Sequence, residues 1–349
     1  MYGSELFAKA RVAIEYYLEV KKGDTVLIAD DQTLTSNTVN AFRFAAEAAG
    51  ATAIVVSYRN PRFIPLKEYC HMTRLLANPS RQQEEDLFSK PFVEAVRRAD
   101  AVVMASSDLE FLFSKTIEDI LSDGVRIIAL PYLTEEGIAR MFPSDAAEAQ
   151  SLKETVERVT HIFEKSRTAR VVSDAGTNLT ANIGQYPILP HLGVARKGEW
   201  TILPAGQVTN IPNDNSAEGT LVIDRTIAAN DYKEINEPIK FTIKSGDVVK
   251  IEGGVEAEKL RRFMEKLNDK HMYHLTELAV GVNPRCKFSG IGAPTEDTHA
   301  LGCVSLALGC DLHLGGRNPG PAHIDMTMRY PSLTLDETRT IVEAGVLKA

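Results

Sequence analysis

The 349-residue chain is poor in cysteine: only Cys70, Cys286, Cys303 and Cys310 are present, and no pair has CxxC spacing. So few thiols cannot frame a disulfide scaffold over this length, and they read as reduced cysteines. No stretch of about 18 apolar residues runs without a charge, so the pattern holds no spanning helix. The first residues carry Glu5, Lys9, Arg11 and Glu15 where a signal peptide would be apolar. Secretion is therefore not expected, and a cytoplasmic location is. Basic runs are also missing, and the net charge is −8, which disfavours nucleic acid and anionic membrane as partners. A small-molecule substrate is the remaining expectation.

Several motifs are absent as well. No GxGxxG follows the first apolar run and no GxxxxGKS/T occurs, which argues against a nucleotide enzyme. The chain has no HExxH, which removes the zincins. Ser305 sits in an apolar run with no GxSxG elbow, which disfavours a serine hydrolase.

What is present is the composition of a globular protein. Hydrophobic residues make up 44% and charged residues 25%, so the chain can bury a core and is not disordered. Its length suits two domains. The first part alternates strand and helix patterns, the mark of a mostly parallel sheet with flanking helices. Helical spacing spans Glu5 to Val20, then apolar runs at 25–29, 52–57, 101–105 and 125–130 alternate with helices at 35–48, 84–99 and 115–121. Thr35 or Ser36 can cap the second helix. A charged helix over 146–165 precedes a change of texture near Arg167. Beyond it, short β-branched segments at 169–173, 200–203, 219–226, 239–243 and 248–252 are separated by Gly, Pro and Asn. Only 255–267 reads as a clear helix there. The expected fold is thus an α/β domain over 1–166 and an α+β metal-binding, catalytic domain over 167–349.

The strongest local chemistry is the segment Ala322-His323-Ile324-Asp325-Met326-Thr327-Met328. If it is a strand, His323 and Asp325 project from one face, and an imidazole and a carboxylate converge. Neutral imidazole and carboxylate are ordinary ligands for zinc, iron or manganese. A structural pairing of His323 with Asp325 is the plainer alternative. Glu277, before an apolar run and a Gly-x-Asn-Pro turn, can supply a third ligand, because a buried carboxylate needs a cation. It reads equally well as a solvent-facing residue at a strand start. His274 would share a face with Glu277 only on a helix. His191, His299 and His313 are isolated in sequence and read first as structural hydrogen-bonding groups, with His313 kept as a substrate-binding candidate.

Larger strings carry a resemblance to a family. Leu203 to Pro212 (LPAGQVTNIP), Ser216 to Asp224 (SAEGTLVID), Glu277 with its Gly-x-Asn turn, and GGRN followed by AHID resemble the aminopeptidase T type of metallopeptidase. Ile183 to Pro187 (IGQYP) and the regions 213–224 and 254–269 are more similar to the 2,5-dihydroxypyridine 5,6-dioxygenase family, which uses iron. In either comparison the resemblance implies metal ligands at His323 and Asp325. Glu277 resembles the peptidase glutamate ligand and stands where the dioxygenases have histidine. Gln207 and Ser305 replace a glutamate and a histidine of the peptidase two-metal site, and the peptidase tyrosine aligns near Leu312. The resemblance therefore implies one divalent metal, with Fe(II) favoured and Zn or Mn as alternatives, and a pocket lined by Gln207 and Ser305. Glu110 stands near the dioxygenase base and becomes the catalytic candidate, although it also reads as an ordinary helix-start carboxylate. A homo-oligomer is implied too. The expected activity is opening of a small cyclic or heteroaromatic, pyridine-like ring. A metallohydrolase and a non-catalytic, ligand-binding paralogue are the alternatives.

Overall fold

The computed structural model describes residues 2–58, 71–72, 88–106, 109–131, 133–228, 233–288 and 294–349. Contacts group the described residues into two units that interleave in sequence. One draws on 1–63, 78–153 and 192–205, the other on 64–77, 154–191 and 206–349.

The first unit is built on a five-stranded sheet. Its strands are β1 (Thr25–Asp30), β2 (Thr52–Ser57), β4 (Ala101–Ala105), β5 (Arg126–Ala129) and β9 (Trp200–Ile202), in the order β2-β1-β4-β5-β9. Every pairing is parallel. β4 is buried along its whole length and β1 along its centre, as expected for strands covered on both faces. The helix Ser36–Ala48 starts at Thr35, whose hydroxyl accepts from the Thr38 amide at 3.3 Å. The first helix, Tyr2–Val12, widens into a π turn at Ala13–Tyr17 and ends short of Val20. Lys9, on its buried side, donates to the Phe142 carbonyl and the Ser144 hydroxyl at 2.8 Å each, so the ammonium is not stranded. Of the helix expected at 84–99, residues 84–87 lie outside the described residues, and Lys90–Arg97 is helical with its proline in the first turn.

β9 belongs to this parallel sheet, beside β5, although its sequence resembles the short strands that follow residue 167. A three-residue strand carries no signal of which sheet it will join. The parallel register of Ile127, Ile128 and Ala129 with Trp200, Thr201 and Ile202 puts it there, and the Ile127 amide bonding to the Glu199 carbonyl and the Leu203 amide bonding to the Ala129 carbonyl flank the pairing.

The second unit holds two eight-stranded sheets. The first contains β3 (His71–Met72), β8 (Leu189–His191), β10 (Gln207–Asn210), β12 (Thr226–Ile227) and β13 (Lys233–Glu234). It is completed by β16 (Leu275–Gly281), β17 (Val304–Gly309) and β18 (Ala322–Thr327). Its order is β13-β12-β18-β17-β16-β10-β8, with β3 also on β18. The pairings are antiparallel.

The other sheet has β6 (Thr168–Val172), β7 (Asn178–Asn182), β11 (Glu218–Ile223), β14 (Ile239–Lys244) and β15 (Asp247–Glu252). β19 (Ser332–Leu335), β20 (Arg339–Glu343) and β21 (Val346–Leu347) extend it. β6, β7 and β14 alternate buried and exposed residues, so one face of this sheet is wet. β16 and β17 are buried throughout, which marks their sheet as the covered one. The helix Val255–Leu267 lies where its spacing predicts. Among the described residues no helix is long and apolar enough to cross a membrane.

Candidate metal centre

β16, β17 and β18 lie side by side, and their register builds the site. Ala307 on β17 is opposite Glu277 on one side and Asp325 on the other. In antiparallel pairs, directly opposed side chains share a face, so Glu277, Ala307 and Asp325 form one row. His323, two residues before Asp325, projects from the same face, as a period of two requires. Glu277 reaches this face through a β-bulge. β16 carries one extra residue between Leu275 and Glu277, so Leu275 pairs with Leu308 on the opposite face. The bulge lets an apolar side chain and a carboxylate two residues apart leave the strand in opposite directions.

The three groups converge. His323 Nε2 is 3.4 Å from Glu277 Oε2 and 3.3 Å from Asp325 Oδ1. One ligand atom from each lies within 4.8 Å of the others. His323 Nδ1 donates to the Cys310 carbonyl at 2.6 Å, which leaves Nε2 as the nitrogen facing the carboxylates. Glu277, 4% exposed, sits mid-strand rather than at a solvent-facing strand start, and its Oε1 has no hydrogen-bond partner.

The electrostatics are those of a crowded anionic pocket. Burial raises the Glu277 pKa, the hydrogen bond with His323 works against that, and the charge of Asp325 raises it further. Burial opposes a charged His323, but the carboxylates of Asp325 and Glu277 outweigh it and lift its pKa well above the ordinary imidazole value. A buried carboxylate oxygen without a partner is costly, and a cation at the point of convergence would satisfy it. One imidazole and two carboxylates fit a hard or borderline divalent ion.

Around this row the same face is polar. Gln207 Nε2 donates to Ser305 Oγ at 3.4 Å, so these two pocket candidates meet. Thr209, Ala279, Ser305, Thr327 and Thr226 occupy the next row, and the Thr226 and Thr327 hydroxyls lie 2.5 Å apart. Sequence reading passed over these threonines, although Thr209 follows Gln207 and Thr327 follows Asp325 by two residues, the spacing that marks a shared face. His191 was also read as isolated. It lies directly opposite Gln207, with Nε2 3.5 Å from Thr209 Oγ1 and its ring 5.6 Å from that of His299. His191 keeps partial exposure, yet desolvation pushes its pKa down to about 4, with the charge of Asp325 resisting.

The remaining candidates are placed as follows. The His313 ring stands edge-on to His323 with centroids 4.7 Å apart. His274 turns away to Asp247, with Nδ1 2.7 Å from Oδ1. Glu110 opens a short turn, Glu110–Phe113, in the unit of the parallel sheet, and its side chain lies outside the described residues. Cys286, Cys303 and Cys310 are buried, and Cys70 lies outside the described residues.

An imidazole with two carboxylates on a buried antiparallel sheet, in a chain that also has a five-stranded parallel sheet, defines the class: a mixed α/β protein with a buried cluster of groups able to hold a metal ion. The chain belongs to the family of 2,5-dihydroxypyridine 5,6-dioxygenase, whose profile matches residues 14–349. It is 29% identical over 350 residues to 2,5-dihydroxypyridine 5,6-dioxygenase of Pseudomonas putida KT2440, covering 95% of this chain and 94% of that one. The solved structure of the dioxygenase from that organism superposes with a TM-score of 0.80 at 25% identity, over 99% of this chain and 98% of the other. AmpT from Thermus thermophilus shares the fold, with a TM-score of 0.65 at 16% identity over the full length of both chains.

Proposed function

We propose that this protein is a mononuclear metal-dependent dioxygenase that opens a dihydroxypyridine-like ring. The observation that carries the reading is the buried convergence of Glu277, His323 and Asp325 in a chain of the dioxygenase family. These three residues would hold one divalent ion, and 167–349, which contains them all, is the catalytic part. When bound, the ion would supply Lewis acidity toward a ring oxygen and, if it is iron, a route for electrons to dioxygen.

The chain's own groups do the rest. Gln207 and Ser305, already hydrogen-bonded, offer an amide and a hydroxyl to the ring's polar atoms. His191 is neutral at physiological pH because its pKa lies at about 4. It therefore stands ready to accept a hydrogen bond from a ring hydroxyl. His313, edge-on to His323, lines the same edge of the site. Glu110 is the proposed proton acceptor, and Glu110→Gln should lower kcat without changing metal content.

Family membership favours Fe(II). The two-carboxylate ligand set favours a second reading, a hydrolase using Mn(II) or Zn(II), because it is harder and more anionic than a two-histidine, one-carboxylate site. Oxygen consumption decides between them. Fe(II)-loaded protein with 2,5-dihydroxypyridine should consume about one O2 per ring and place two atoms from labelled O2 in the product. Turnover under argon, with label entering only from water, would establish the hydrolase. A metal-loaded protein that binds dihydroxypyridines and turns none over would be a binding paralogue.

A further inference from the structure

We infer that Ala307 is the floor of the cation cradle and that the size of its side chain determines which ion the cradle accepts. The inference rests on the metal-centre reading above and adds to it a residue that donates no ligand atom.

Glu277 and Asp325 stand on strands that flank β17. Neighbouring strands are about 4.8 Å apart, so the two stems rise from the sheet roughly 10 Å from each other. Their oxygens nevertheless come within 4.8 Å of one another and of His323 Nε2. Both carboxylates must lean inward over β17, and the side chain beneath them is the methyl group of Ala307, which is fully buried.

β17 is sorted for this arrangement. The residues sharing the Ala307 face are Ser305 and Gly309, whereas Val304, Leu306 and Leu308 take the opposite face. Two of the three small residues have separate reasons. Ser305 accepts from Gln207. Gly309, opposite His323, has φ +99°, and a Cβ there would meet the Ala322 carbonyl oxygen at 2.2 Å. At Ala307 the small side chain leaves room beneath the two carboxylates, and the buried Glu277 Oε1, which has no hydrogen-bond partner, is a group that a cation there would satisfy.

The test is a volume series read by metal binding rather than by turnover. Wild-type, Ala307→Gly and Ala307→Val chains are stripped of metal, checked for fold by circular dichroism, and titrated calorimetrically with Mn(II) and with the smaller Zn(II). Ala307→Val should weaken Mn(II) by about 100-fold, the upper range for groups that orient a metal site without ligating it, and should weaken Zn(II) less. Ala307→Gly should keep one site per chain and shift preference toward Mn(II). A folded Val variant within threefold of wild type for both ions overturns the inference. If Val does not fold, an unchanged Mn(II)/Zn(II) ratio in the Gly variant overturns it instead. A wild-type chain that binds neither ion fails the metal-centre reading itself, an outcome distinct from either.

Discussion

His323 donates its Nδ1 hydrogen to the carbonyl of Cys310 at 2.6 Å, and this bond decides which ring nitrogen faces Glu277 and Asp325. The carbonyl can only accept, so the proton stays on Nδ1, and a cation that displaces the proton on Nε2 takes that nitrogen's lone pair. His323→Ala should therefore abolish stoichiometric metal binding, measured by elemental analysis after dialysis. One ion per chain retained by that variant would remove His323 from the ligand set.

Glu277→Gln keeps the shape of the side chain and removes its charge. Affinity for Mn(II) should fall by more than the roughly 10–100-fold that orienting partners are worth. The metal-free variant should melt no lower than the wild type, because two buried carboxylates no longer crowd one imidazole and Asp325 still pairs with His323. Adding Mn(II) should raise the Tm of the wild type and leave that of the variant unmoved. Equal Tm gains in both proteins would count against Glu277 as a ligand.

His191 sets a pH dependence whose sign follows from its lowered pKa of about 4. The unfolded chain takes up the proton near the ordinary imidazole value of about 6.5, and the folded chain does so only near 4. This histidine's contribution to stability is thus complete above about 6.5 and is lost as pH falls toward 4. Titration of the His191 ring resonances by NMR checks the value. A midpoint at or above 6.5 would show that the imidazole is not held neutral by its surroundings.

Gly309→Ala tests the backbone beneath His323. The position has φ +99°, and a Cβ there would meet the Ala322 carbonyl oxygen at 2.2 Å and Met272 Cε at 2.9 Å. The conformational penalty alone is about 1–3 kcal/mol, and the clash adds to it. Because Gly309 is opposite His323 in the ladder, the variant should lose both stability and metal affinity, read from chemical denaturation and calorimetry. A variant as stable as the wild type would show that the strand relaxes without cost.

The sequence alone determined the elements whose signals are local. The alternation of helices with apolar runs announced the parallel sheet, and Thr35 announced its helix start. The two-residue spacing of His323 and Asp325 placed them on one face if the segment was a strand, which it is. Only the tertiary structure decided what depends on chain segments far apart in sequence. Trp200–Ile202 carries nothing that assigns it to the sheet of β5, because so short a strand can pair with any open edge. The burial of Glu277 came from strands 30 and 48 residues downstream by register, and its direction came from a bulge that no residue pattern marks. The same is true of His191, which is alone in sequence and opposite Gln207 in the sheet. Side-chain period is a property of one strand and can be read from it, whereas register is a relation between strands, set by how the whole sheet packs.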